Sequence, residues 1–167
     1  MNMKNTILIA AFVLISVVTF GQKSTSGGNQ LNIGVGLSGW GVPFYIGIDH
    51  FLNQDISVGG EFTYRSYHDR WDGDRYNHNI MGFSGNANYH FNRILEIPSE
   101  WDFYAGLNLG FYVWNSPDAY RGSHSSGLGL GGQIGGRYFL SDKVGLNLEF
   151  GGGNSFSGGK FGLTVRL

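Results

Sequence analysis

Apolar residues occupy alternate positions through eight stretches of the chain: 31–39, 44–52, 56–68, 78–91, 101–115, 126–140, 144–153 and 158–167. Alternation of period two sends successive side chains to opposite faces of an extended strand. In the first stretch Leu31, Ile33, Val35 and Leu37 share one face, and Asn32, Gly34, Gly36 and Ser38 share the other. In the fifth, Phe103, Ala105, Leu107, Leu109, Phe111 and Val113 oppose Asp102, Tyr104, Gly106, Asn108 and Gly110. The seventh sets Val144, Leu146, Leu148 and Phe150 against Gly145, Asn147, Glu149 and Gly151. No long amphipathic helix breaks the series; Asn92 to Glu100 has room for a short turn at most. A tilted strand needs ~9–11 residues to cross a bilayer, and a closed transmembrane barrel an even number of strands. The pattern predicts an all-β chain, an eight-stranded antiparallel up-and-down transmembrane β-barrel over residues 31–167.

The connections alternate in character. Asn53-Gln54-Asp55 and Ser141-Asp142-Lys143 are short and rich in turn formers, whereas Asp69 to Asn77 and Ser116 to Ser125 are longer polar excursions. Outer-membrane barrels place short turns in the periplasm and longer loops outside, so both termini are expected on the inner side. Three connections depart from this rule: 92–100 is long for an inner turn, and 40–43 and 154–157 are short for outer loops.

The alternation is preceded by a leader. Lys4 precedes the apolar run Ile7 to Phe20, and Thr19 and Gly21 are small enough for a cleavage site, so residues 1–21 are expected to be a secretory signal peptide. Residues 22–30 then form a flexible polar lead-in. Cleavage after Gly21 removes Lys4 and moves the formal charge from −1 to −2, which gives no basic field for nucleic acid. The chain contains no cysteine, hence no disulfide framework and no lipidated cysteine. Its 167 residues include 29 Gly and 13 Phe with only 14% charged residues, a balance suited to strands rather than to a helical soluble domain.

Alternation alone does not say which face is inside, since a soluble lipocalin-like barrel turns its apolar face inward. Three features point the apolar face outward here. The polar face carries glycines 34, 36, 47, 59, 106, 110, 129, 131, 135, 145, 151 and 162, where a solvated surface would carry Lys and Glu, and an eight-stranded lumen has little room. It also carries four acids and four bases, Asp49, Glu61, Arg65, Asp102, Arg137, Glu149, Lys160 and Arg166, a balanced set expected to form an interior ion-pair network because buried charges need partners. Finally, aromatic residues gather at the predicted rims: Trp40, Phe44, Tyr64, Phe111 and Phe156 at the outer, Tyr89, Phe91, Trp101, Phe103 and Tyr138 at the inner. Paired aromatic girdles mark the two membrane interfaces.

In this pattern the chain resembles the small outer-membrane β-barrel family, of the OmpX and OmpA transmembrane-domain type. The sharpest element is the last strand, where Lys160, Gly162, Val165 and Leu167 match in order the family's C-terminal assembly signal. Leu167 departs from the aromatic residue usual at its end. The resemblance implies localisation in the outer membrane of a diderm bacterium, contact with outer-membrane lipid and lipopolysaccharide, and delivery by periplasmic chaperones to the barrel-assembly machinery. It also implies an interior too full for solute passage and no peptidoglycan-binding domain after Leu167. The expected role is structural or surface-interacting.

Catalytic and metal chemistry find little support. His124-Ser125-Ser126 resembles the His-x-Ser of lipid A deacylases, with His124 and Ser126 on the outward face, but a nucleophilic serine needs a base held by a third group. Tyr138 stands at the position where the acid belongs, and Glu149 faces inward. His68-Asp69 with Ser66 is thinly reminiscent of lipid A palmitoyltransferases. Asp72-Gly73-Asp74 with Asp69 and Asn77 offers oxygen ligands but not the register of a calcium loop. His50, His78 and His90 show no metal-ligand spacing, and the glycines lack the strand–loop–helix setting of a phosphate loop. The reading is therefore no catalytic, cofactor-binding or metal residues, with a lipid A-modifying enzyme and a soluble ligand-binding barrel as the alternatives. Arg70, Trp71, Arg75, Tyr76, Tyr120 and Arg121 make loops 69–77 and 116–125 the candidate contacts for an extracellular protein or glycan.

Overall fold

A computed structural model describes residues 28–39, 41–71, 74–117, 126–153 and 157–167. The leader, Trp40, Asp72-Gly73, the stretch 118–125 with His124, and Phe156 lie outside the described residues. Eight strands follow in chain order: β1 (Asn29–Ser38), β2 (Phe44–Phe51), β3 (Ile56–Trp71), β4 (Asp74–His90), β5 (Trp101–Asn115), β6 (Gly127–Phe139), β7 (Val144–Gly153) and β8 (Gly158–Arg166). Each pairs antiparallel with the next, and β8 pairs with β1, which closes the barrel.

The apolar face is outside. Leu107, Leu128 and Leu130 are 66%, 73% and 61% exposed, and Leu148 also faces outward, whereas the buried set is mostly polar: Asp49, Ser57, Arg65, His78, His90, Arg137 and Thr164 are all nearly inaccessible. This is the reverse of a soluble barrel with an apolar lining, and it removes the lipocalin-like alternative. The inward glycines serve the interior rings. A Cβ on Gly135 would stand 2.3 Å from Tyr104 Cζ, and one on Gly162 would stand 2.1 Å from the Ile33 carbonyl oxygen and 2.6 Å from Tyr45 Oη. Tyr45 and Tyr104 therefore lie across the lumen only because the facing positions have no side chain.

The turns at the terminal end follow from their sequences. Asn53 Oδ1 accepts from the amides of Asp55 (2.8 Å) and Ile56 (2.9 Å), and Ser141 Oγ accepts from that of Val144 (3.1 Å). The long connection 92–100 holds one helical turn, with Leu95 N–H on Phe91 O (3.0 Å) and Ile97 N–H on Asn92 O (2.9 Å). Glu96, at φ 51°, is the left-handed residue that closes a turn of this Schellman type. Asn92 fastens it to the barrel, donating to Trp101 O and accepting from Phe103 N. Asp55 and Arg93 join this connection to the β2–β3 turn, and the guanidinium holds the Asp55 carboxyl below its ordinary value, chiefly through the hydrogen bond.

The structure corrects two boundaries. The lead-in was expected to run to residue 30, but β1 starts at Asn29, with Asn29 opposite His50 and Gln30 opposite Asp49. The loop expected over 69–77 is strand on both sides. β3 leaves β2 after Tyr64 and β4 meets β5 only from Asn79, yet the two remain paired to Trp71–Asp74. Among the described residues, five register pairs, Tyr67–His78 to Trp71–Asp74, thus stand beyond the β2–β3 and β4–β5 pairings. At about 3.3 Å per residue the ribbon rises roughly 15 Å above that level. Both segments are polar at nearly every position, so the apolar–polar alternation that marks a strand is missing from them.

Candidate functional site

The lumen is where the charged side chains converge, and every strand contributes to it. Arg137 on β6 is 2% exposed and bridges two acids, Asp102 at 3.0 Å and Asp49 at 2.6 Å. Asp102 is its register partner on β5, while Asp49 reaches it across the lumen from β2. Lys160 on β8 repeats the arrangement, with its register partner Glu149 at 3.0 Å and Glu61 of β3 across the lumen at 2.6 Å. Each cation thus joins a neighbouring strand to a distant one. The two clusters are linked, because Tyr104 donates to Glu149 Oε2 (2.8 Å) and its ring lies 4.5 Å from the Arg137 guanidinium carbon.

Neutral groups complete the bonding. Asn32 donates to Asp49 (2.9 Å) and accepts from Thr164 (2.6 Å); Thr164 accepts from Asn147 (3.0 Å), which accepts from Tyr45 (2.6 Å). Asn86 adds a longer contact to Asp49 at 3.3 Å. Two lumenal cavities of about 30 and 20 Å³ remain, both bordered by Glu61, Asn86 and Lys160 and each large enough for ordered water. At the outer end Tyr67, His78 and Trp114 pack ring against ring above the fully buried Ile80.

The two remaining members of the charged set lie apart from these clusters. Arg65, near the outer end, is 2% exposed and donates to Ser38 Oγ at 3.0 Å. Arg166, at the terminal end, packs its guanidinium carbon 3.3 Å from the centre of the Phe139 ring and donates to the Asp142 carbonyl at 3.4 Å. For Arg166 these contacts are a ring and a carbonyl rather than a carboxylate. Of the residues of the expected assembly signal, Lys160 and Gly162 point inward and Val165 lies between Leu31 and Val144. The Leu167 amide closes the seam by donating to Asn29 O (2.8 Å).

One constellation escaped the reading of the sequence. Ser57 Oγ lies 2.9 Å from His90 Nε2, and His90 Nδ1 lies 2.7 Å from Asp102 Oδ1. Protonation at Nδ1 satisfies both contacts, with His90 donating to Asp102 and accepting from Ser57. The three groups are buried and His90 packs between the rings of Phe51 and Tyr104, so the chain reads as a hydrogen-bond relay feeding the Arg137 cluster. A usable signal existed: all three residues have inward parity and lie within two positions of a strand end on the same rim. Of the catalytic candidates, His124 and the Asp69 side chain lie outside the described residues. Ser126 Oγ accepts from the Trp114 amide at 3.0 Å, and Ser66 and His68 are exposed on the outward face. Among the described residues no group of three His, Cys, Asp or Glu could hold a metal ion.

No protein-family model and no curated protein matches the chain. Solved structures do. The N-terminal β-barrel domain of Pseudomonas aeruginosa OprF aligns at a TM-score of 0.60 and 14% identity, over 84% of this chain and 99% of that one. Neisserial surface protein A aligns at 0.53 and 17%, over 84% and 94%. The attachment invasion locus protein Ail of Yersinia pestis, solved in complex with the heparin analogue sucrose octasulfate, aligns at 0.53 and 15%, over 85% and 99%.

Proposed function

We infer that this chain, which has the fold of the small outer-membrane barrels, resides in the outer membrane of a diderm bacterium and presents a rigid β-hairpin to the exterior. The hairpin carries this reading. Among the described residues its ribbon continues five register pairs past the β2–β3 and β4–β5 pairings, so it projects from that end of the barrel. Arg70 and Arg75 belong to this segment with Trp71 and Tyr76, beside Asp69, Asp72 and Asp74, a mix of charged and aromatic residues suited to contact with a glycan or a protein surface. Ail, one of the similar structures, is an attachment protein with a heparin analogue bound. The lumen is then scaffold: its ion clusters hold the barrel rigid beneath the hairpin. Biogenesis through periplasmic chaperones and the barrel-assembly machinery, with Lys160, Gly162, Val165 and Leu167 as the address, belongs to the same proposal.

The test compares cells displaying the full chain with cells displaying a variant whose Tyr67–His78 segment is replaced by Asn-Gly. The full chain is expected in the outer-membrane fraction, and its cells on immobilised heparin; the shortened barrel should reach the membrane without conferring adhesion. Recovery of the full chain as a soluble periplasmic protein contradicts the location, and equal adhesion by both strains contradicts the role of the hairpin. The connectivity of Ser57, His90 and Asp102 favours a second reading, a serine esterase. Complete burial of Ser57 speaks for the structural relay instead. Labelling of Ser57 by a fluorophosphonate would decide for the esterase.

A further inference from the structure

The outward belt of β5 to β8 is not smooth. Ala105 and Gly136, the latter with the Phe103 ring packed against it, interrupt it beside a groove of about 580 Å³ whose walls are almost wholly apolar, among them Phe103, Leu148, Phe150 and Phe161. Trp101 and Tyr138 frame the end nearest the termini. The Trp101 and Phe103 rings stack at 5.4 Å and 9°, and Trp101 lies 4.6 Å from Tyr138. By register Tyr138 sits beside Trp101, Gly136 beside Phe103, and Phe150 two positions deeper than Leu148, so the depression runs from the interface girdle toward mid-membrane.

We propose that this groove is a binding site for one phospholipid of the periplasmic leaflet, an acyl chain lying over Ala105 and against the Phe103 ring with its glycerol backbone at the level of Trp101 and Tyr138. The groove continues the lipid-facing surface, so hydrocarbon is what meets it. Its polarity runs the right way for a lipid of that leaflet: the indole N–H and phenol O–H stand at the interface end, and the deep end is aliphatic and aromatic. A second copy of the barrel is the poorer fit, because a convex wall cannot enter a concave slot that a single flexible chain can fill. The packing gain is that of filling a void whose lining otherwise lacks partner atoms. The proposal rests on the membrane location, which fractionation tests separately.

The experiment is native mass spectrometry of the full chain, extracted in detergent from bilayers of phosphatidylethanolamine and phosphatidylglycerol and washed stepwise. Three proteins are compared: the wild type, Ala105→Leu/Gly136→Leu, which fills the groove, and Gly85→Leu, which adds a leucine at an outward glycine on β4. Wild type and Gly85→Leu are expected to retain one phospholipid per chain, with at least tenfold less retained by the filled variant. Equal retention, or none in the wild type, overturns the proposal. Dimers lost only in the filled variant overturn it in favour of a second copy. Should the filled variant not fold, a diazirine-bearing phospholipid on the wild type gives the answer. Crosslinks concentrated in 101–105 and 134–150 support the site, and an even spread around the barrel refutes it.

Discussion

Arg137→Met removes the cation that holds two strands against β6. The side chain is 2% exposed, and its acids Asp49 and Asp102 are 3% and 9% exposed at the side chain, so none of the three is screened by water. After the substitution Asp49 keeps Asn32 at 2.9 Å and Asn86 at 3.3 Å, and Asp102 keeps His90 at 2.7 Å. Breaking a buried pair by deleting one partner costs ~3–5 kcal/mol. Two acids are stranded here, but the retained hydrogen bonds offset part of the second loss, so the expected destabilisation stays within that range. With a urea slope of about 2 kcal/mol per molar, the unfolding midpoint falls by roughly 2 M. The assay is urea unfolding in phospholipid vesicles, followed by the shift in gel migration between folded and heated barrel. Adding Asp49→Asn and Asp102→Asn removes the stranded charges and should recover most of the midpoint. An unchanged midpoint in Arg137→Met, or a triple variant no better than the single one, refutes the claim that these charges are buried and mutually dependent.

The inward glycines give a steric prediction. Gly135→Ala, which drives a methyl against Tyr104, should cost about 1–3 kcal/mol in the same assay, and Gly152→Ala, which has open space, should cost nothing measurable. The Asp55–Arg93 tie gives a pH prediction. Because the folded carboxyl is held below the ordinary 3.8, the stabilisation is fully present above that value and disappears as pH falls through the depressed one. Carbon NMR of the Asp55 carboxyl should show a midpoint below 3.8 that Arg93→Gln moves back up; an identical midpoint in both proteins contradicts the tie. Leu167→Ser should lower the fraction of chain that reaches the gel-shifted form in cells while leaving refolding of the purified chain intact, and a parallel loss of both would mean a structural defect rather than a damaged address.

How much was legible follows from where water is. Inside the bilayer the two faces of each strand meet opposite environments, so Leu107 and Asn108 declare their sides by type alone, and all eight strands could be read with their inside–outside sense. The register partners Asp102–Arg137 and Glu149–Lys160 were within reach once the strands were drawn. Their second acids were not: Asp49 meets Arg137, and Glu61 meets Lys160, only because the sheet closes and folds distant strands across one narrow lumen. In the polar run 69–77 the apolar–polar alternation is missing, so that stretch reads as loop. Ser57, His90 and Asp102 were not joined because only diagonal neighbours on three paired strands bring them together.

The central claim, an apolar face in lipid around a polar filled lumen, is tested most directly by spin labels placed one at a time along β5. The absence of cysteine makes each single-cysteine variant from residue 105 to 111 specific. In reconstituted bilayers, access to oxygen should be high at 105, 107, 109 and 111 and low at 106, 108 and 110, with collisions with an aqueous nickel chelate low at all seven. A reversed phase, or no period of two, would contradict the account.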